Sequence, residues 1–107
     1  MPTTRDYENP GPARADIDAL PGPTLLQFGT GWCGYCNVAE PLVEAALQSR
    51  AGVRHVRVED GSGRPLGRSF RVKLWPTLVF LRDGQEVARL VRPGSRQDIT
   101  DALAKIA

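Results

Sequence analysis

Apolar and polar positions along the chain fall into short runs of two periods, and the periods predict the elements. Thr24 to Phe28 reads TLLQF, apolar except for Gln27, as a buried strand does. From Gly34 to Arg50, Val38, Leu42, Val43, Ala46 and Leu47 recur at helical spacing, with Pro41 inside the run and Gly52 as the stop. Val53 to Glu59 alternates, with Val56 and Val58 on one face and His55 and Arg57 on the other, which is the period of a strand. The Gly-rich stretch DGSGRPLGR, residues 60–68, predicts a loop, and Leu66 to Val72 a short helix. Trp75-Pro76 then opens the apolar strand TLVFL. Asp83-Gly84 between this run and Glu86 to Val91 is a strong hairpin signal. Ser95 with Asp98 three residues later caps a last helix, whose buried stripe is Ile99, Leu103 and Ile106.

Ahead of these elements, ARADIDAL supports one short helix over Asp16 to Leu20, ended by Pro21-Gly22. Residues 1–12 hold three prolines and no apolar period, so they are expected to be a flexible lead-in to a domain over 13–107. The order αβαβ followed by ββα predicts one α/β domain without repeats.

Length and charge narrow the chemistry. One hundred and seven residues suffice for a single core, and 41% hydrophobic with 24% charged residues is the soluble globular average. No apolar run approaches a membrane helix, and MPTTRDYENPGP has no apolar segment of a secretory signal, so no membrane association and a cytoplasmic location are expected. Fourteen basic residues, twelve of them Arg, against twelve acidic ones are too balanced for a nucleic-acid binder. Arg54, Arg57, Arg64, Arg68, Arg71 and Lys73 form a basic middle third, expected to be a solvated face. Two Cys and one His cannot furnish the four ligands of a structural zinc site within one chain, so no metal is expected.

The remaining chemistry lies in Cys33 and Cys36. A C-x-x-C spacing directly after a strand and at the start of a helix sets the first sulfur among unpaired N–H groups and at the positive end of the helix dipole, where a thiolate is stabilised. The second sulfur, one turn deeper, can reach the first and attack a mixed disulfide formed on it. Dithiol exchange is the predicted chemistry. Half of a metal site shared with another chain is the competing one.

WCGYC, a proline five residues past the second cysteine, Pro-Thr before an apolar strand and a Gly-closed hairpin together resemble the thioredoxin family over residues 13–107. The resemblance implies a thioredoxin-like α/β fold: a mixed central sheet of four or five strands flanked by helices, in the order 1-3-2-4-5, with the first strand weak or missing because TTRDYE is a poor strand. It implies a thiol-disulfide oxidoreductase working without a bound cofactor on protein disulfide substrates, recharged by a reductase, and here expected to be a monomer. By motif, Cys33 resembles the nucleophile, Cys36 the resolving thiol, Pro76 the cis-proline beside them and Pro41 the proline within the helix. Trp32, Gly34, Tyr35, Trp75 and Pro76 are the candidate substrate-binding residues.

Three positions depart from the family. Gln27 stands six residues before Cys33, where thioredoxins carry a buried Asp that takes the proton of the resolving thiol, and an amide cannot do so. Gln27 is expected to be buried and hydrogen-bonded with no charge behind Cys36. His55 aligns approximately with the family's buried Lys and is the candidate replacement base. Gly34-Tyr35 replaces the usual Gly-Pro and resembles bacterial disulfide isomerases, and Gly29 stands where a Trp is common. Gln27 also favours an alternative, a thioredoxin-fold protein-binding module with weak turnover.

Overall fold

Gln27, expected to be buried, sits at the centre of a four-stranded sheet with 0% exposure. The computed structural model describes residues 7–9 and 11–107. In chain order its elements are α1 (Arg14–Asp18), β1 (Pro23–Gly29), α2 (Gly34–Gln48), β2 (Arg54–Glu59), α3 (Pro65–Ser69), β3 (Thr77–Arg82), β4 (Gln85–Val91) and α4 (Arg96–Ala104). The strands lie in the order β2-β1-β3-β4. β1 runs parallel to β2 and antiparallel to β3, and β3 runs antiparallel to β4.

The alternation of side chains along β1 and β3 divides the core in two. Leu25, Leu78 and Phe80 meet Val43 and Ala46 of α2, Ile99 and Leu103 of α4, and Ile106 just past the end of α4. On the other face, Leu26, Phe28, Val79, Leu81 and Val58 meet Ile17 of α1, Leu66 of α3 and Phe70. Each fully buried Leu or Ile in these layers contributes roughly 1.5–3 kcal/mol. β1 and β3 are covered on both sides, which is why their sequences run apolar without alternating.

Local signals set the ends of the elements. Ser95 Oγ accepts the Asp98 N–H at 3.2 Å, the cap that opens α4. The β3–β4 turn puts Asp83 and Gly84 at positive φ, 51° and 79°. A β-carbon on Gly84 would stand 2.1 Å from the Asp18 carbonyl oxygen, so both conformation and space demand glycine. Pro41 lies inside α2, where it lacks the N–H that would bond Asn37.

Three expectations change. Val38 belongs to no buried stripe. It is 70% exposed, and the packed face of α2 is Cys36, Ala39, Val43 and Ala46. The helix read over 66–72 ends at Ser69, where Phe70 caps it and Arg71 turns to positive φ. The basic middle third is not one solvated face, because Arg57 is buried against Glu40. Within the segment read as a lead-in, Glu8 forms a single parallel bridge to Val58 on the outer edge of β2. That is the place the resemblance gave to the family's first strand, and among the described residues it holds this bridge. Residues 1–6 and 10 lie outside the described residues.

Candidate functional site

β1 delivers the chain to the carboxyl edge of the sheet, residues 30–32 turn it, and α2 begins at Gly34 with Cys33 as its N-cap. Cys33 has extended backbone angles and its sulfur accepts the Cys36 N–H at 3.3 Å, so the thiol does what a Ser or Asp cap does elsewhere. Both cysteines are free thiols, Cys33 7% exposed and Cys36 1%.

Their environments push the two acidities apart. Burial raises the pKa of Cys33, but this is outweighed by hydrogen bonds from the Cys36 thiol, the Cys36 and Tyr35 backbone and the charge of Arg92, and the net direction is down. Cys36 is pushed up to about 11, first by burial and then by donating to Cys33. A backbone hydrogen bond from Thr30 and one with the Tyr7 side chain oppose this.

Around Cys33 the surface is aromatic. Trp32 is 76% exposed and packs edge-on against Trp75, with centroids 5.7 Å apart. Trp75 is half-buried and donates its indole N–H to Asp60 at 2.9 Å. The Trp75-Pro76 bond is cis, and Pro76 is buried at the start of β3. Tyr35 is 59% exposed, with the Arg92 guanidinium 3.7 Å from its ring centroid. Gly34 is exposed between the cysteines.

Behind Cys36 lies a polar cluster that corrects the expectation of an uncharged back wall. Arg57 faces Gln27 in register on β2, and its guanidinium pairs with Glu40 of α2. Gln27 Nε2 donates to the Tyr7 hydroxyl at 3.1 Å and, at the 3.5 Å limit, to Glu40 Oε2. His55 Nε2 stands 2.8 Å from Gln27 Oε1. An amide oxygen only accepts, so that nitrogen carries the hydrogen and is turned to Gln27. Arg57 and His55 of β2 thus both stand at the amide, Arg57 in register with Gln27 and His55 bonded to it.

Sequence reasoning missed Tyr7, Glu40 and Arg92. Glu40 had a signal: it follows Cys36 by four residues and precedes Val43 by three, so the helical period puts it on the packed face. Among the described residues no group of three or more His, Cys, Asp or Glu is placed to hold a metal ion.

The family model described as Thioredoxin matches residues 14–105. The chain belongs to the thioredoxin family. Thioredoxin of Mycobacterium tuberculosis is 37% identical over 77 residues, 71% of this chain and 66% of the relative. Thioredoxin of Chlamydia trachomatis is 32% identical over 85 residues, covering 78% and 82%. Thioredoxin 2 of Pseudomonas aeruginosa PAO1, solved in its reduced form, matches with TM-score 0.83 and 55% identity over 94% of this chain and 93% of the other. The chain is thus a thiol-disulfide oxidoreductase with a C-x-x-C pair, and the exchange reading is favoured over a binding module. Thioredoxins act on protein disulfides and are reduced by a reductase.

Proposed function

We propose that Cys33 is the attacking thiolate and Cys36 the resolving thiol of a two-step exchange with protein disulfides. The observation that carries this reading is the placement of the two sulfurs, Cys33 as the N-cap of α2 accepting the Cys36 N–H at 3.3 Å and Cys36 1% exposed one turn deeper, an arrangement that pushes their acidities apart. The Cys33 thiolate attacks a substrate disulfide and releases one substrate thiol. Cys36 then attacks Cys33 Sγ, closes the protein disulfide and releases the second. An extended substrate segment lies over Trp32, Gly34, Tyr35, Trp75 and Pro76, where exposed aromatic area surrounds the sulfur.

In this reading Gln27 and His55 hold the back wall, and the proton of Cys36 leaves finally with the second substrate thiol. A reductase regenerates the dithiol, and the protein works as a monomer in the cytoplasm, readings that size-exclusion chromatography and cell fractionation check. No helix among the described residues is long and apolar enough to cross a membrane. The test of function is reduction of insulin by dithiothreitol with and without the protein. A rate well above the reductant alone is expected, and equal rates would contradict the proposal.

A further inference from the structure

Cys36 must form a thiolate in the resolving step while 1% exposed, and a buried thiolate without a donor is costly. Two groups outside its own helix, the Thr30 backbone and the side chain of Tyr7, act on the sulfur by hydrogen bonding to pull its pKa down. Tyr7 comes from the segment bridged to β2 through Glu8, well away from the C-x-x-C motif in sequence. What admits it is Gly29. A β-carbon there would stand 2.7 Å from Cys36 Sγ and 2.8 Å from the Tyr7 hydroxyl, so sulfur and hydroxyl sit together over that bare Cα.

We propose that the Tyr7 hydroxyl is a catalytic hydrogen-bond donor to Cys36 in the resolving step, aimed by Gln27. The inference rests on the exchange reading above. Gln27 is fully buried and its amide is oriented by His55 at Oε1, which leaves Nε2 to donate to the Tyr7 oxygen. With that oxygen accepting from Gln27, its own hydrogen is available for the sulfur. The Arg57 guanidinium lies 4.6 Å from the Tyr7 ring centroid and is held there by Glu40, and a cation over the ring makes the phenol a better donor. Burial, first among the causes, pushes the phenol's pKa up to about 12, so at neutral pH it donates as a phenol and is not consumed as a base.

The step balances within the dithiol and its substrate. Cys36 Sγ bonds to Cys33 Sγ, the bond from Cys33 Sγ to the substrate sulfur breaks, and the departing substrate thiolate takes up the proton that Cys36 gave up. Tyr7 neither gains nor loses a proton overall. It supports the charge on Cys36 while the charge exists. Gln27, an unsuitable base, is a suitable aiming group.

The experiment uses the full reduced chain and dithiobis(nitrobenzoate) in stopped flow, where the first chromophore release reports attack by Cys33 and the second reports resolution by Cys36. Tyr7→Phe keeps the ring over which Arg57 lies and removes the hydroxyl, both the donor to Cys36 and the acceptor of Gln27 Nε2. The second release is expected to slow about tenfold, the loss of one hydrogen bond to a charged group, with its pH profile moved upward and the first release unchanged. A loosened fold would alter both phases and would not move the profile of one. Should Tyr7→Phe fold poorly, Gly29→Ala tests the same contact, since its β-carbon occupies the gap, and the same selective slowing is expected. An unchanged second release beside a normal first release would overturn this proposal alone. Absence of the first release in the natural protein would overturn the exchange reading and this proposal with it.

Discussion

The two sides of the cysteine pair are built from opposite materials. In front of Cys33 the side chains are large, aromatic and exposed: Trp32, Tyr35 and, half-buried, Trp75, with Arg92 laid on Tyr35. Behind Cys36 they are polar, hydrogen-bonded and buried or half-buried: Tyr7, Gln27, His55, and the Glu40–Arg57 pair. Sulfurs three residues apart thereby acquire different acidities. In the proposed exchange the front offers contact area to partners and carries the attacking thiol, and the rear holds the resolving thiol protonated until a mixed disulfide forms. Burial and donation to Cys33 dominate the acidity of Cys36.

Exchanging the roles of the two sulfurs is the most severe way to break this comparison. Cys33→Ser should reduce insulin turnover to the level of dithiothreitol alone. Cys36→Ser should hold partners as mixed disulfides through Cys33, recovered on a non-reducing gel and absent from the Cys33→Ser lane. Equal trapping by both variants would erase the distinction between front and rear.

Next in size is the rear ion pair. Glu40→Ala leaves the Arg57 guanidinium buried without its carboxylate, and a loss of about 3 kcal/mol is expected in urea unfolding. The double variant Glu40→Leu/Arg57→Met should lose less, because it removes both charges. Alkylation of Cys33 should be nearly untouched in either, since the front does not depend on this pair.

The rear also predicts an alkaline loss of stability in the reduced protein. The pKa of Cys36 is raised from 9.0 to about 11, so between those values the unfolded thiol has lost a proton that the native one retains. The unfolded state then binds fewer protons, and stability falls as pH rises through this window. The shift of Cys33 is downward and acts in the opposite sense, adding stability as pH rises through the range below 9.0. Urea midpoints of Cys36→Ser should lack the alkaline decline contributed by Cys36.

The smallest effect lies at the front. Arg92→Ala removes the cation over Tyr35 and one of the influences that lower Cys33, and should slow iodoacetamide labelling about twofold near neutral pH, less so at high salt. An unchanged rate would leave the hydrogen bonds from residues 35 and 36 as the whole cause.

What could be read from the sequence divides along the same line. The C-x-x-C turn, the Asp83-Gly84 hairpin, the Ser95 cap and the Ile99, Leu103, Ile106 stripe are local, each decided by residues a few positions apart, and all appear where expected. Trp32 and Tyr35 stand beside the sulfurs in sequence and in space for the same reason, whereas Trp75, distant in sequence, is brought against Trp32 by the fold. The rear cluster was hidden because it joins Tyr7, Gln27, Glu40 and Arg57 from four separate stretches of chain. Its one local clue is Glu40, four residues past Cys36 and so on the side of α2 that packs against the sheet, a side that the apolar spacing of Val38, Leu42 and Val43 does not single out. Gln27 was correctly expected to be buried and bonded, but the charges beside it depend on strand register, which periodicity alone does not supply.

The central claim is that one helix start and one buried wall separate the acidities of the two thiols. The most direct measurement is a short iodoacetamide pulse on the reduced protein across a pH series from about 5 to 11, with each cysteine quantified by peptide mass. Thiolate is the reacting form, so each profile reports its own titration. The account predicts that Cys33 is labelled first, with its rise centred below the usual thiol range, and that Cys36 stays unlabelled until strongly alkaline pH. Parallel profiles, or labelling of Cys36 ahead of Cys33, would contradict it.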